Sequence, residues 1–333
     1  MEKTTQPKIT IVIPAYKTPE DLLRRAINVI ISQTFTDWEL ILVNDGADKN
    51  VKEIVFSYNN QVSVDYGKNK SAKIRYYETK KQRGPSTARN IGIRETISEY
   101  IFFHDSDDTL YSVNGTKYAL EDMFKEIGND NPDIIAFDFM RDNKYHKTTR
   151  WIPVNLLEKS DEKFIKSNFK YFLDISLVMN CNKLFKTKFL INNNIFYNEN
   201  LITGEDDEIS TKYLFATKNV KFLKNAYYHY YIYKSSLSHY FSDKIFYDIK
   251  LIKYVKETLM KYGIYEDLRL NLIALADFFL YTHFCNNPTL TPEILRSIDI
   301  IKIKKYVRKY LKYLDIKESD LQKNLYKGIM YFI

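Results

Sequence analysis

Cysteine is nearly absent: two among 333 residues, Cys181 and Cys285. Two such distant thiols make neither a disulfide framework nor a metal cluster, and they read as buried thiols of a reducing cytoplasm. No run of about 18 apolar residues occurs, so no transmembrane helix is expected. The opening MEKTTQPK lacks the apolar middle of a secretory signal. No Gly-rich basic loop follows the first apolar run, which ends in Pro14-Ala15-Tyr16-Lys17. No internal repeat and no nucleic-acid-binding signature is present.

Apolar residues are plentiful at 45%, enough for a sizeable core. The formal charge is +8, and residues 241–333 carry sixteen Lys and Arg against eleven Asp and Glu. Lys302, Lys304, Lys305, Arg308 and Lys309 cluster there. A solvated helix face is the default reading of that cluster, and contact with anionic lipid is the competing one.

The first 140 residues alternate between two periodicities. Ile9–Ile13, Glu39–Val43, Lys73–Glu78, Tyr100–Phe103 and Asp133–Met140 read as buried strands. Between them, residues 19–32 space Leu22, Leu23, Ala26, Ile27 and Ile30 as a helix, and Gly84-Pro85-Ser86 opens another that runs to about Ile97. This order predicts an α/β fold with a mostly parallel sheet flanked by helices, whose ligands sit beyond the carboxyl ends of the strands. Asn59 to Ser71 reads as a polar surface insertion. Further on, the pattern predicts helices near 160–174 and 206–217. Asn182–Asn192 turns into helix, and an aromatic strand pair spans 219–234. A helical region follows from about 243, broken at Gly263 and at Asn286-Asn287-Pro288.

Three acidic strings carry chemistry. HDSDD at 104–108 follows an apolar strand, and three carboxylates within four residues repel one another unless a cation neutralises them. A hard divalent ion bridging to a diphosphate suits them, although a solvated acidic turn explains the string equally well. Asp45 in VNDGADKN can accept a hydrogen bond from a nucleobase imide such as that of uracil, or simply form an Asp-Gly turn. GEDDEIS at 204–210 places four acids at a helix start. The macrodipole alone accounts for them, unless one serves as a general base.

Taken in order, ITIVIPAY, LILVNDGA, GPSTARNIGI, FFHDSDD, CNKLFKTKFL and GEDDEIS resemble the family-2 glycosyltransferases over roughly residues 8–240. The resemblance implies a GT-A fold, with residues 1–240 as the transferase domain. Residues 8–110 would be its nucleotide-binding half, 111–240 its acceptor-side half, and 241–333 a helical C-terminal appendage. It implies that Pro14, Ala15, Tyr16 and Asp45 hold uridine, and that Arg89 and Asn90 face the donor. Asp105 and Ser106 would lie at the ribose or sugar, Asp107 on Mn2+ or Mg2+, and Asp108 at donor or acceptor groups. Asp206, with Glu205 beside it, would deprotonate the acceptor, Asp207 and Glu208 being adjacent alternatives. Lys183 would lie on the acceptor side. A late His often completes the metal site; His239 matches that position best, with His229 as the other choice.

The implied reaction is an inverting transfer from a UDP-sugar to a glycan or lipid-linked saccharide, in bacterial surface polysaccharide synthesis such as capsule. The implied setting is the cytoplasm, with peripheral contact at the inner face of the plasma membrane and pairing of chains through the C-terminal helices left open. A sugar-phosphate nucleotidyltransferase and a non-catalytic interaction protein of the same fold are the rival readings. Lys17, Asn44, Ala47 and His104 depart from the family's common residues. Alternation along the strand turns His104 away from Asp105, which predicts a packed side chain.

Overall fold

The computed structural model describes residues 6–141, 179–201, 204–231, 244–263 and 265–266. The expected helix near 160–174, His239, Cys285 and the basic cluster at 302–309 lie outside them. Contacts divide the chain into two units. The first takes residues 1–200 and 212–233, the second residues 201–211 and 234–333. The acidic string at 204–210 falls in the second unit.

In the first unit nine strands form one sheet. They are β1 (Ile9–Ala15), β2 (Trp38–Asp45), β3 (Val64–Asp65), β4 (Ile74–Thr79), β5 (Tyr100–Phe103), β6 (Thr109–Leu110), β7 (Ile134–Arg141), β8 (Lys183–Lys186) and β9 (Val220–Tyr230). Their order is β3-β4-β2-β1-β5-β8-β7-β9-β6. Strands β3, β4, β2, β1 and β5 run parallel. β8 then enters antiparallel to both β5 and β7. The five strands predicted within the first 140 residues are present, and the apolar runs of β2 and β5 are explained by burial on both faces: every residue of these two is buried.

Helices α1 (Glu20–Ile31), α2 (Lys49–Phe56), α3 (Pro85–Glu95) and α4 (Ala119–Ile127) connect the strands. Leu23, Ala26, Ile27 and Ile30 of α1 are buried as their spacing requires. α3 lies close on β1 because Gly92 has no side chain. A Cβ there would stand 2.5 Å from both methyl carbons of Val12. Gly92→Ala is therefore expected to destabilise the fold by roughly 1–3 kcal/mol through overpacking, although alanine is the better helix former by about 1 kcal/mol. Urea unfolding measures this, and a stabilised variant would show that the strand and helix separate at little cost.

The expected strand pair at 219–234 is corrected: residues 220–230 form the single strand β9. Lys224-Asn225 resembles a turn in sequence but forms an irregularity in the β7–β9 ladder, between the Ala136 and Asp138 pairings. Glu126 of α4 holds it, accepting from the Lys224 N–H, from Asn225 Nδ2 at 3.0 Å and from the Tyr227 hydroxyl at 2.7 Å.

At the amino ends of β1, β2 and β4 lies a buried charge network. Arg75 Nε and one terminal nitrogen donate to Glu39 Oε2 at 2.9 and 2.7 Å, with both side chains almost wholly enclosed. Glu39 Oε1 also accepts from Thr10 Oγ1 at 2.5 Å and from the Ile97 N–H at 3.2 Å. The carboxylate and guanidinium are thus each hydrogen-bonded as well as paired, which a buried ion pair requires.

Two helices remain after β8. α5 (Thr187–Asn192) follows it directly, and α6 (Glu205–Ala216) begins in the second unit and ends in the first. In the second unit α7 (Lys244–Lys261) buries Leu251, Val255 and Leu259, the stripe expected from spacing. Among the described residues no helix is long and apolar enough to cross a membrane.

Candidate active site at the carboxyl edge of the sheet

β1, β2, β4 and β5 end together, and the loops that follow them carry the motif residues. The chain turns sharply there. Lys17 and Ala47 take left-handed φ values of 48° and 52°, conformations that side chains other than glycine seldom adopt and that concentrate at functional loops. Gly46 at φ 104° lies between Tyr16 and the Gln82 backbone, with 3.4 Å of space for a Cβ toward Gln82 N. Tyr16 is 40% exposed, Pro14 is half-buried and Ala15 is buried.

Asp45 is 3% exposed, and its carboxylate already serves the protein. Oδ1 accepts from Thr79 Oγ1 at 2.7 Å and from the Arg83 N–H at 2.8 Å, and Oδ2 accepts from the Gly84 N–H at 2.8 Å. It therefore anchors the start of α3 with three of the roughly four acceptor positions of a carboxylate. The departure at Asn44 is explained by its partners. Nδ2 donates to Asp48 O at 2.7 Å and to the Tyr76 hydroxyl at 2.8 Å, and Oδ1 accepts from the Asp48 N–H at 3.1 Å. An aspartate could not donate. Asp48 in turn caps α2 through Asn50 N and Val51 N.

The HDSDD loop is tied down at every position. Asp105 Oδ1 receives Arg89 at 3.0 Å, and the Asp105 N–H donates to the Tyr228 hydroxyl at 3.1 Å. Ser106 Oγ meets Thr18 Oγ1 at 2.7 Å. Arg25 of α1 donates to Asp107 O, and its guanidinium lies 4.2 Å over the Tyr231 ring. Asp108, 1% exposed, accepts from the Tyr228 hydroxyl at 2.7 Å and from the Tyr231 N–H at 2.8 Å. Its two oxygens thus face β9 and the residue following it.

Electrostatics separate the three acids. Burial, with the Asp105 carboxylate adding repulsion, pushes Asp107 up to about 6. Burial and both neighbouring carboxylates push Asp108 well above the usual range. Such strain is what a dication would relieve. Among the described residues no three His, Cys, Asp or Glu side chains gather as a cage. The arrangement suits an ion shared between Asp107 and ligand phosphates, the mode Mg2+ favours.

His104 is fully buried, and burial lowers its ring to about 4, so it is neutral at physiological pH. Its Nδ1 donates to Asp105 O at 2.8 Å, and its ring meets Phe102 and Tyr228 edge-on. His229 pairs with Thr109 in the sheet and stacks on Tyr231.

Two other expected site residues turn inward. Asn90 exchanges hydrogen bonds with the 197–199 segment: its amide donates to Tyr197 O and Glu199 Oε1, and its carbonyl accepts from the Tyr197 N–H at 2.8 Å. Lys183 is wholly buried, its Nζ 2.6 Å from Asn182 Oδ1 and also donating to Met179 O. Cys181 is buried as expected. A groove of about 550 Å3 beside the same edge is lined by Lys17, Thr18, Asp48 and Asn50 but by none of the motif carboxylates at 105–108.

In the second unit Glu205, Asp206 and Asp207 open α6 half-exposed, whereas Glu208 is 3% exposed. Burial leaves Glu208 poorly placed to meet a substrate hydroxyl. Ser210 Oγ donates to Asp206 O at 2.5 Å, so the Asp206 backbone is fixed within the helix.

Sequence reasoning missed Arg25, Thr18, Glu199 and Tyr228. None belongs to an acidic or Gly-rich string. They are brought to the site by the loop after β1, by α1, by the 197–199 segment and by β9, and only the Tyr-rich run 227–231 gave any signal.

Comparison with known proteins places this arrangement. The chain is 28% identical over 231 residues to the poly(ribitol-phosphate) beta-N-acetylglucosaminyltransferase TarP of Staphylococcus aureus, covering 68% of this chain and 62% of TarP. It is 23% identical to S. aureus TarS, which bears the same activity name, over 67% of this chain and 35% of TarS. The chain thus spans less than two thirds of these relatives. A crystal structure of a TarS fragment in complex with UDP-GlcNAc superposes with a TM-score of 0.67 at 17% identity, over 98% of this chain and 87% of the fragment. That likeness supports the GT-A fold. The sequence profile of glycosyl transferase family 2 matches residues 10–192, more than half of the chain, and the chain belongs to that family.

Proposed function

We propose that the chain transfers a sugar from a UDP-sugar to a hydroxyl of a cell-surface glycan or polyol-phosphate polymer, with inversion at the anomeric carbon. The observation that carries this reading is the anchored loop after β5. Asp108 is turned inward, while Asp105 and Asp107 stay partly exposed at the edge where the parallel strands end, with Asp107 held above the ordinary carboxylate range. UDP-GlcNAc is the first donor to try, because TarP and TarS are named as N-acetylglucosaminyl transferases and a TarS structure holds that compound. Their β product from an α-linked donor also implies inversion.

Bound at Asp107, Mn2+ or Mg2+ would stabilise the negative charge that develops on the departing diphosphate. Arg89 holds Asp105 in place beside it. Asp45 anchors the start of α3, and a shift of its loop on binding would be needed to expose the one acceptor position left on its carboxylate to an imide N–H. Asp206 would take the acceptor proton as its oxygen attacks, so neither a Ser nor a Cys nucleophile is required.

Calorimetry with UDP, GDP and CDP in the presence of Mn2+ tests the reading. UDP is expected to bind tightest, and only weakly once the metal is chelated. Equal or tighter binding of GDP would remove the uridine assignment.

A further inference from the structure

We propose that Tyr228 is a positioning residue for the acidic loop: its hydroxyl, shared between Asp108 and the Asp105 backbone, sets where the Asp105 and Asp107 carboxylates point. This rests on the reading of Asp105 and Asp107 as the diphosphate and cation end of the donor site. Three acids in four residues tend to spread apart, so the loop needs a brace. Thr18, Arg25 and Arg89 each hold one position from outside. Tyr228 holds two from beneath. The hydroxyl accepts the Asp105 N–H at 3.1 Å and donates to Asp108 Oδ2 at 2.7 Å, closing the loop on itself. The Tyr231 N–H completes Asp108 from the residue just beyond the same strand.

The brace is rigid. Tyr228 has no exposed surface, and its ring meets Phe102 at 6.0 Å and His104 at 5.3 Å between centroids. Its backbone pairs with Leu110, just past the loop, and the Tyr111 N–H donates to Tyr227 O at 2.9 Å. β9 therefore fixes both the downstream end of the loop and its interior. Phenylalanine would keep the ring packing and remove only the hydroxyl. An Asp108 oxygen and the Asp105 N–H would then lose a partner in a buried place, and the loop would shift to find others. Outer partners of metal-binding carboxylates commonly act in this way.

The test is Tyr228→Phe, read by Mn2+ electron paramagnetic resonance and by calorimetry with UDP and with uridine. Mn2+-supported UDP affinity is expected to fall about 10–100-fold, with uridine binding unchanged and the melting curve still cooperative. Asp108→Asn is expected to weaken Mn2+-supported binding similarly. The double variant should lose little more than the worse single one, because both remove the same brace. If Tyr228→Phe does not fold, Asp108→Asn carries the same comparison. Wild-type Mn2+ and UDP affinity in a folded variant would overturn the proposal, as would a parallel loss of uridine binding, which marks a general structural role. If the native chain itself binds UDP without regard to Mn2+, the donor-site reading fails first and this inference falls with it.

Discussion

Asp206→Asn is expected to lower kcat by about 10²–10⁴-fold, the usual contribution of a general base, while Mn2+-dependent binding of UDP stays at its native strength. The two halves of this expectation come from different parts of the chain. Asp206 lies in the first turn of α6 in the second unit, half-exposed, with its backbone held by Ser210. The loops after β1, β2 and β5 belong to the first unit. Asp107→Asn should do the reverse, losing metal-supported UDP binding and with it turnover at ordinary substrate concentration. The measurements are single-turnover rates with radiolabelled donor and calorimetry on the same preparations. A normal rate in Asp206→Asn would move the role to Glu205 or Asp207, since Glu208 is buried. Loss of UDP binding in Asp206→Asn would make the acidic helix start structural rather than chemical.

Glu39→Gln is expected to cost about 3–5 kcal/mol of stability, because it leaves the Arg75 guanidinium buried without a counter-charge. In a domain of this size that is a fall in unfolding midpoint on the order of 10 °C. The loss extends past the ion pair. Glu39 also gathers Thr10, Ile97 and Ser98, so one carboxylate joins β1, β2, β4 and the chain after α3. Replacing both partners, Glu39→Leu with Arg75→Met, should recover only the part of the loss that comes from the unpaired charge, because the Ile97 N–H and the Thr10 and Ser98 hydroxyls would still lose their acceptor. The network lies at the amino ends of the strands and the proposed donor site at the carboxyl ends, so kcat of the folded Glu39→Gln protein should be unchanged. A loss below about 1 kcal/mol would mean that water reaches Arg75 and that the pair is not enclosed in solution.

Burial made the parallel half of the fold legible. Strands covered on both faces carry unbroken apolar runs, and β1, β2 and β5 stand where those runs are. Helix α2 was not legible, because Asp48-Lys49-Asn50 has the composition of a turn and only the Asp48 cap shows it to be a helix start. β3 and β6, two residues each, are too short for any period to register. β9 was read as a hairpin because bulge and turn use the same polar residues. At the site, the acids themselves were visible and their directions were not. Nothing in HDSDD tells that Asp108 faces inward. The decisive partner, Tyr228, is 120 residues away and reaches the loop only through the pairing of β6 with β9.

The Asn44 amide has a consequence for anyone redesigning this chain by reference to its relatives. Family members often carry aspartate where Asn44 stands, so averaging over an alignment would nominate Asn44→Asp as an improvement. Here the carboxylate would replace two donated hydrogen bonds with repulsion toward Asp48 O and would compete with Glu78 for the Tyr76 hydroxyl proton. Asn44→Asp is therefore expected to destabilise the chain, and a change at Tyr76 or Glu78 would relieve only part of the cost. A substitution at residue 44 is therefore judged against Asp48, Tyr76 and Glu78 together, and not from residue 44 alone.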